Sequence, residues 1–168
     1  MKETYRVRVT KDYLVFSAGH FITFNGDTCE RLHGHNYAVE AEVTGPLDEN
    51  HYVIDFIALR DSLKQIVDQL DHHMLLPTVH PLIHVRTEDK EVHVQFEDRR
   101  WVFPECDCVL LPVANTTTEL LAKYIGQKLL DDLKDRISIE SIQQLRISVD
   151  ENNGQWGDWI AEWDASES

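Results

Sequence analysis

Cys29-Glu30-Arg31-Leu32-His33-Gly34-His35 is the stretch from which the rest of the chain can be read. Alternate side chains of an extended backbone fall on one side, so His33 and His35 present two imidazoles to one face and can share one metal ion. Gly34 keeps the opposite side clear for a close approach of backbone or ligand. A catalytic zinc typically takes three protein ligands and keeps a fourth position open, so the pair needs a partner. His20 is the candidate. It closes the alternating segment Tyr13 to His20, and Asn25-Gly26 is a turn signal that would fold this segment beside the pair. His-x-His by itself is common on solvated strands. The third histidine and the thiol of Cys29, four residues before His33, turn the pair into an expected metal site.

Outward from this stretch, residues Thr4 to Ala18 predict one long strand bent at Lys11-Asp12. Asn36 to Thr44 alternates Tyr37, Val39, Ala41 and Val43 with polar residues, a half-buried strand that Gly45-Pro46 stops. Asp55 caps a helix to Leu70 with apolar Phe56, Leu59, Leu63, Ile66, Val67 and Leu70, and Asp71-His72-His73 follows its last turn. A second helix starts near Thr117, where Thr116 and Glu119 have capping-box spacing; Leu120, Leu121, Tyr124, Leu129 and Leu133 form its stripe. Ile142 to Val149 and Trp156 to Trp163 read as two more strands, joined by a turn at residues 151–154. Between the helices, Glu91 to Leu111 predicts an extra hairpin and a short third strand. The order gives an α+β domain with helices covering one face of an antiparallel sheet.

The chain of 168 residues fits a single domain, 1–168, with an insertion at about 78–112, and at 42% hydrophobic and 27% charged it has an ordinary globular composition. No apolar run approaches the length of a bilayer span, and Met1 to Arg6 is unlike a signal peptide, so the expectation is cytoplasmic. Three cysteines make no disulfide framework. Cys106 and Cys108 are expected to fill core or interface space rather than to bind metal. A net charge of −14 argues against a nucleic-acid partner, and nothing suggests a membrane one. It also requires that any phosphate-bearing substrate meet basic residues concentrated at the mouth of the site.

Phe16-Ser17-Ala18-Gly19-His20, Cys29 to His35, Ile54-Asp55-Phe56, Leu70-Asp71-His72, Thr117-Thr118-Glu119 and Val149-Asp150-Glu151 occur in an order that resembles the 6-pyruvoyl/6-carboxy-tetrahydropterin synthase family. The resemblance implies the tunnelling fold: a four-stranded antiparallel sheet with two helices on one face, assembling as a homotrimer and commonly a homohexamer. It implies zinc held by His20, His33 and His35. Cys29 would be the proton-abstracting thiol, its pKa lowered by the metal and histidine, with Asp71 and His72 as a proton relay. Glu151 would anchor the pterin ring, Thr117 and Thr118 would hold it, and the substrate would be 7,8-dihydroneopterin triphosphate. Zinc would acidify that substrate's side-chain hydroxyls.

The leading expectation is a lyase forming 6-carboxy-5,6,7,8-tetrahydropterin on the way to queuosine-type deazapurines. Alternatives are 6-pyruvoyl-tetrahydropterin synthase, a non-catalytic pterin-binding module, and an unrelated zinc hydrolase. Glu30 adds a further expectation. In a folate-serving branch of the family a glutamate replaces the thiol and yields 6-hydroxymethyl-dihydropterin, and this chain carries both residues side by side. The stretch Thr78 to Pro112 is longer than in the family and no role carries over to it. No motif assigns the residues that hold the triphosphate; Arg31 is nearest in sequence.

Overall fold

The computed structural model describes residues 3–137 and 139–163; the ends of the expected 1–168 domain lie outside the described residues. Strands β1 (Tyr5–Val9) and β2 (Val15–His20) lead through a short ribbon, β3 (Thr23–Phe24) and β4 (Thr28–Cys29), into β5 (His33–Gly45). Helix α1 (Phe56–Leu70) precedes β6 (His73–Pro77), then β7 (His84–Glu88), β8 (Glu91–Phe96), β9 (Arg99–Pro104), a 3-10 turn at Glu105–Asp107, and β10 (Cys108–Leu111). Helix α2 (Thr118–Lys134), β11 (Gln144–Asp150) and β12 (Trp156–Glu162) complete the order.

At 13 residues, β5 is long enough to serve three neighbours at once. β1 pairs with its Ala41–Gly45 end and β2 with its His33–Ala38 end, while β11 runs along the other edge from Ala38 to Thr44. The expected single strand from Thr4 to Ala18 is therefore two strands, broken around Lys11, where Leu14 N–H donates to the Lys11 carbonyl at 2.9 Å. The main sheet has seven strands, in the order β10-β6-β2-β5-β11-β12 with β1 beside β5, where four antiparallel strands were expected. The antiparallel set is present. What sequence reading missed is β6, which adds in parallel to β2, and that the short strand at the end of the insertion, β10, adds in parallel to β6 in this sheet. β6 is a short apolar run directly after a helix with no turn signal before it, and such runs carry no distinguishing period.

The insertion is a three-stranded antiparallel sheet, β7-β8-β9, where a hairpin followed by a short third strand was expected; β7, ahead of that stretch, was not foreseen. Its first turn holds Asp89 at φ 50° and Lys90 at φ 64°. Two left-handed residues match a tight hairpin turn, but without the usual Asn-Gly or Asp-Gly signal.

Core packing follows from these pairings. Tyr37, Val39, Ala41 and Val43 of β5 face Leu59, Leu63, Val67 and Leu70 of α1 and Leu121, Ile125, Leu129 and Leu133 of α2, which puts both helices on one face. The opposite face carries Glu40 and Glu42, paired with Arg8 and Arg6. As expected, Asp55 caps α1, accepting from Ile57 N–H at 2.7 Å. Phe56, counted in the apolar stripe, is exposed. The capping box at α2 is not formed. Thr117 is the N-cap without a side-chain cap bond, and the buried Thr116 instead donates its hydroxyl to the Phe21 carbonyl at 3.2 Å. A second core of Phe21, Met74, Leu76, Ile83, Val92, Val94 and Phe96 forms under the inserted sheet. Among the described residues no helix is long and apolar enough to cross a membrane.

Helix α2 lies against β12 so closely that a Cβ on Gly126 would stand 2.3 Å from the Trp159 ring. Gly126→Ala is expected to cost about 1–3 kcal/mol through overpacking, despite the higher helix propensity of alanine. Urea unfolding checks this; an unchanged midpoint would contradict the close packing.

Candidate functional site

The antiparallel register sets His20 opposite His33 and Ala18 opposite His35. Directly opposed residues share a face. All three imidazoles therefore stand on the core-facing side of the sheet, at the end where the row of core residues passes beyond Tyr37. Gly34 allows the strands to approach there, since a Cβ would meet the Ala18 carbonyl oxygen at 3.0 Å.

The three histidines offer nitrogens that all lie within 4.8 Å of one another. His20 Nδ1 lies 3.1 Å from the Thr116 carbonyl and His33 Nδ1 2.8 Å from the Arg31 carbonyl. Carbonyl oxygens only accept, so in the neutral rings each Nδ1 carries the proton and each Nε2 turns a lone pair inward. Those two Nε2 atoms are 3.2 Å apart. Such lone pairs repel unless a cation stands between them. Burial, opposed by the Thr116 hydrogen bond and helped by the neighbouring His33 and His35, drives the His20 pKa down to about 4, which keeps the ring in its ligating form. Side-chain exposure rises from 1% at His20 to 22% at His35 and 38% at His33. The trio could thus hold a metal with one side open, and three imidazole nitrogens suit zinc.

Two carboxylates border the trio. Glu151 Oε1 lies 3.5 Å from His20 Nε2 and 3.8 Å from His35 Nε2. It is aimed by the turn after β11, where the Asp150 carboxylate accepts from the backbone N–H groups of Asn152, Gly154 and Gln155. Glu30 Oε2 lies 3.8 Å from His33 Nε2. The buried Tyr37 hydroxyl, whose acidity burial suppresses, reaches His20 Nε2 at 3.2 Å.

Cys29 is not among the groups that cluster with the trio. Its side chain packs against the second core, and Sγ lies 3.5 Å from the Glu30 carbonyl. Burial pushes its thiol pKa up, the Arg99 guanidinium pulls it down and Glu30 pushes it up again. The expected lowering is not met by the protein groups alone, because apolar packing outweighs the one nearby cation. Asp71 and His72 do meet: His72 Nδ1 lies 2.8 Å from Asp71 Oδ2, while Asp71 Oδ1 accepts from Ser17 N–H at 2.7 Å. His72 has φ 59° and an 83% exposed side chain. It lines, with His35, Asn36 and Asp107, an open groove of about 490 Å³ of which Cys29 is not part. Thr117 and Thr118 open α2, next in sequence to the Thr116 carbonyl that orients His20, and Thr118 packs on Gly157. Cys106 is exposed rather than core, because it lies in the 3-10 turn, whereas Cys108 is half-buried against the second core with its thiol raised to about 11 by burial.

Sequence reading overlooked Tyr37, Thr116 and Arg99 as neighbours of the site. Tyr37 was accessible to it, being next in the alternation His33, His35, Tyr37. Thr116 meets His20 across 96 residues and Arg99 meets Cys29 across 70, and no local pattern marks either contact.

Residues 8–160 match the family described as 6-pyruvoyl tetrahydropterin synthase. A protein of Methanocaldococcus jannaschii with the provisional name 6-carboxy-5,6,7,8-tetrahydropterin synthase is 34% identical over 143 residues, covering 84% of this chain and 86% of its own. The 6-carboxy-5,6,7,8-tetrahydropterin synthase of Aquifex aeolicus is 29% identical over 133 residues, covering 77% of this chain and 73% of its own. A solved Plasmodium vivax 6-pyruvoyltetrahydropterin synthase, described as a variant with alanine in place of a catalytic glutamate, matches with a TM-score of 0.88 at 27% identity, covering 96% of this chain and all of its own.

The expected metal content is one zinc per chain, and His33→Ala should lower it at least about tenfold by removing a ligand without touching the buried His20. Elemental analysis after gel filtration checks this. Full occupancy in that variant, or ligation through Cys106 or Cys108, would contradict the trio.

Proposed function

The chain belongs to the 6-pyruvoyl tetrahydropterin synthase family, and on that premise we propose that it is a zinc-dependent lyase converting 7,8-dihydroneopterin triphosphate into 6-carboxy-5,6,7,8-tetrahydropterin, in the route to queuosine-type deazapurines. The observation that carries the reading is the set of inward-turned histidine nitrogens with two carboxylates at its rim. His20, His33 and His35 hold the metal, which when bound supplies a Lewis acid to the hydroxyls of the substrate side chain. Glu151 anchors the pterin ring, accepting from ring and exocyclic N–H groups together. Thr117 and Thr118 border the ring from the start of α2. Cys29 takes a proton from the side chain, and His72, held through Nδ1 by Asp71, exchanges protons through its exposed Nε2. The same reading keeps the enzyme cytoplasmic, where a thiol base such as Cys29 stays reduced.

Glu30 is read as a second base. Its carboxylate approaches His33 while the Cys29 thiol packs toward the second core, so the two adjacent residues face different surroundings. The catalytic glutamate of the Plasmodium vivax relative supports this, and that relative's name carries the second reading, a 6-pyruvoyl product. Mass analysis of the pterin formed from 7,8-dihydroneopterin triphosphate separates the two. Cys29→Ala should lose 6-carboxy product by about 100-fold or more yet keep 6-hydroxymethyl product, and Glu30→Ala should do the reverse. Loss of both products in Cys29→Ala, with Glu30→Ala unchanged, would leave Glu30 without a catalytic role.

The site is completed between chains of a trimer-based assembly. The exposed His72 and the edge strand β12, with Trp156 and Ile160 exposed, support this. Light scattering is expected to give three or six times the 19.5 kDa chain mass. A monomer at micromolar concentration would overturn it.

A further inference from the structure

We propose that Arg99, in the inserted sheet, is a positioning residue that holds the Cys29-Glu30 segment in its working conformation. This rests on the reading of those two residues as the proton acceptors. The segment has little structure of its own: β3 and β4 are two residues each, and a ribbon that short is not stable alone. The Thr23–Cys29 pairing lies within that ribbon, Glu30 N–H donates to the Ile22 carbonyl at 2.9 Å, and Asn115 Nδ2 donates to the Thr23 carbonyl at 2.9 Å. A further hold, on Cys29 and Glu30 themselves, comes from the insertion. Arg99 Nη1 donates to the Cys29 carbonyl and Nη2 to the Glu30 carbonyl, both at 2.9 Å.

These two carbonyls belong to successive peptide planes, on either side of the Glu30 Cα. Each plane is rigid, so fixing both fixes φ and ψ of Glu30 and with them the direction of its Cα–Cβ bond. The first plane also carries the Cys29 Cα. A planar guanidinium with two parallel donors suits adjacent carbonyls as no other side chain does. The arginine is itself braced. Its guanidinium carbon lies 4.7 Å from the Trp101 ring centroid, and Trp101 stacks on the buried Phe21 at 4.6 Å. Arg99 also opens β9 opposite Phe96, a member of the second core. A continuous set of contacts thus runs from the core of the insertion to the backbone that aims the thiol and the carboxylate.

The test uses the full-length, zinc-loaded protein as wild type, Arg99→Met and Arg99→Lys. Hydrogen exchange followed by mass spectrometry reads the peptide 28–32 without substrate, and steady-state turnover of 7,8-dihydroneopterin triphosphate reads kcat and KM. In Arg99→Met the peptide should exchange about tenfold faster or more. Its kcat should fall about 10- to 100-fold with KM within about threefold and metal content unchanged, as misaimed reacting groups require. Arg99→Lys should fall between, since one ammonium cannot serve both carbonyls as a fork does. Unchanged exchange at 28–32 would overturn the proposal. So would faster exchange with unchanged kcat, or exchange rising equally over residues 84–104, which would make Arg99 a stabiliser of the insertion only. If the wild type makes no pterin product, the functional reading fails, while the exchange measurement still decides whether Arg99 holds the segment.

Discussion

The pairing of β2 with β5 is the constraint on which the site depends. A slip of one residue would turn one strand's side chains to the opposite face, separating His20 from His33 and His35. The same slip would also drive Phe16 or Tyr37 out of the core. Burial of those two rings, stacked at 4.6 Å, therefore fixes the geometry of the histidine trio, which could hold a metal, as a by-product of folding. The trio needs no specialised loop.

That arrangement explains why the histidines differ in environment while serving together. The core row along β5 runs from Val43 through Tyr37 and passes beyond the helices at His35 and His33. His20 lies on the neighbouring strand beneath the start of α2, where the Thr116 carbonyl caps its Nδ1. One imidazole is thus fully desolvated and held neutral, and the other two are partly exposed while their nitrogens converge on it. A cation resting there would have rigid support on one side and access on the other.

The insertion changes how the neighbouring segment is built. Phe21 follows His20 directly, and its ring is the floor for Trp101, Val92 and Phe96. The second core is consequently joined to the main one at the residue next to His20. Cys29 gains apolar packing from it, which opposes thiolate formation, and a guanidinium, which favours it.

Much of this was legible in the chain. Period-2 alternation from Tyr37 to Val43, the Asp55 cap and the helical stripes needed only local patterns, because burial on one face writes itself into every second or every third and fourth residue. The histidine trio was legible for the same reason, with a turn signal to join its halves. Other features depend on contacts between residues far apart. The parallel pairing of β6 and β10, the break between β1 and β2, the misassigned cap at Thr116 and the reach of Arg99 to Cys29 were all decided by which surfaces met once the chain had folded. The direction of Cys29 belongs with them. Its sequence neighbour His33 and the metal expected there suggested an electropositive thiol, but its burial was set by the packing of Phe21 and Met74 under an inserted sheet that starts more than fifty residues later. Local periodicity can place a side chain on a face; only the tertiary structure decides what covers it.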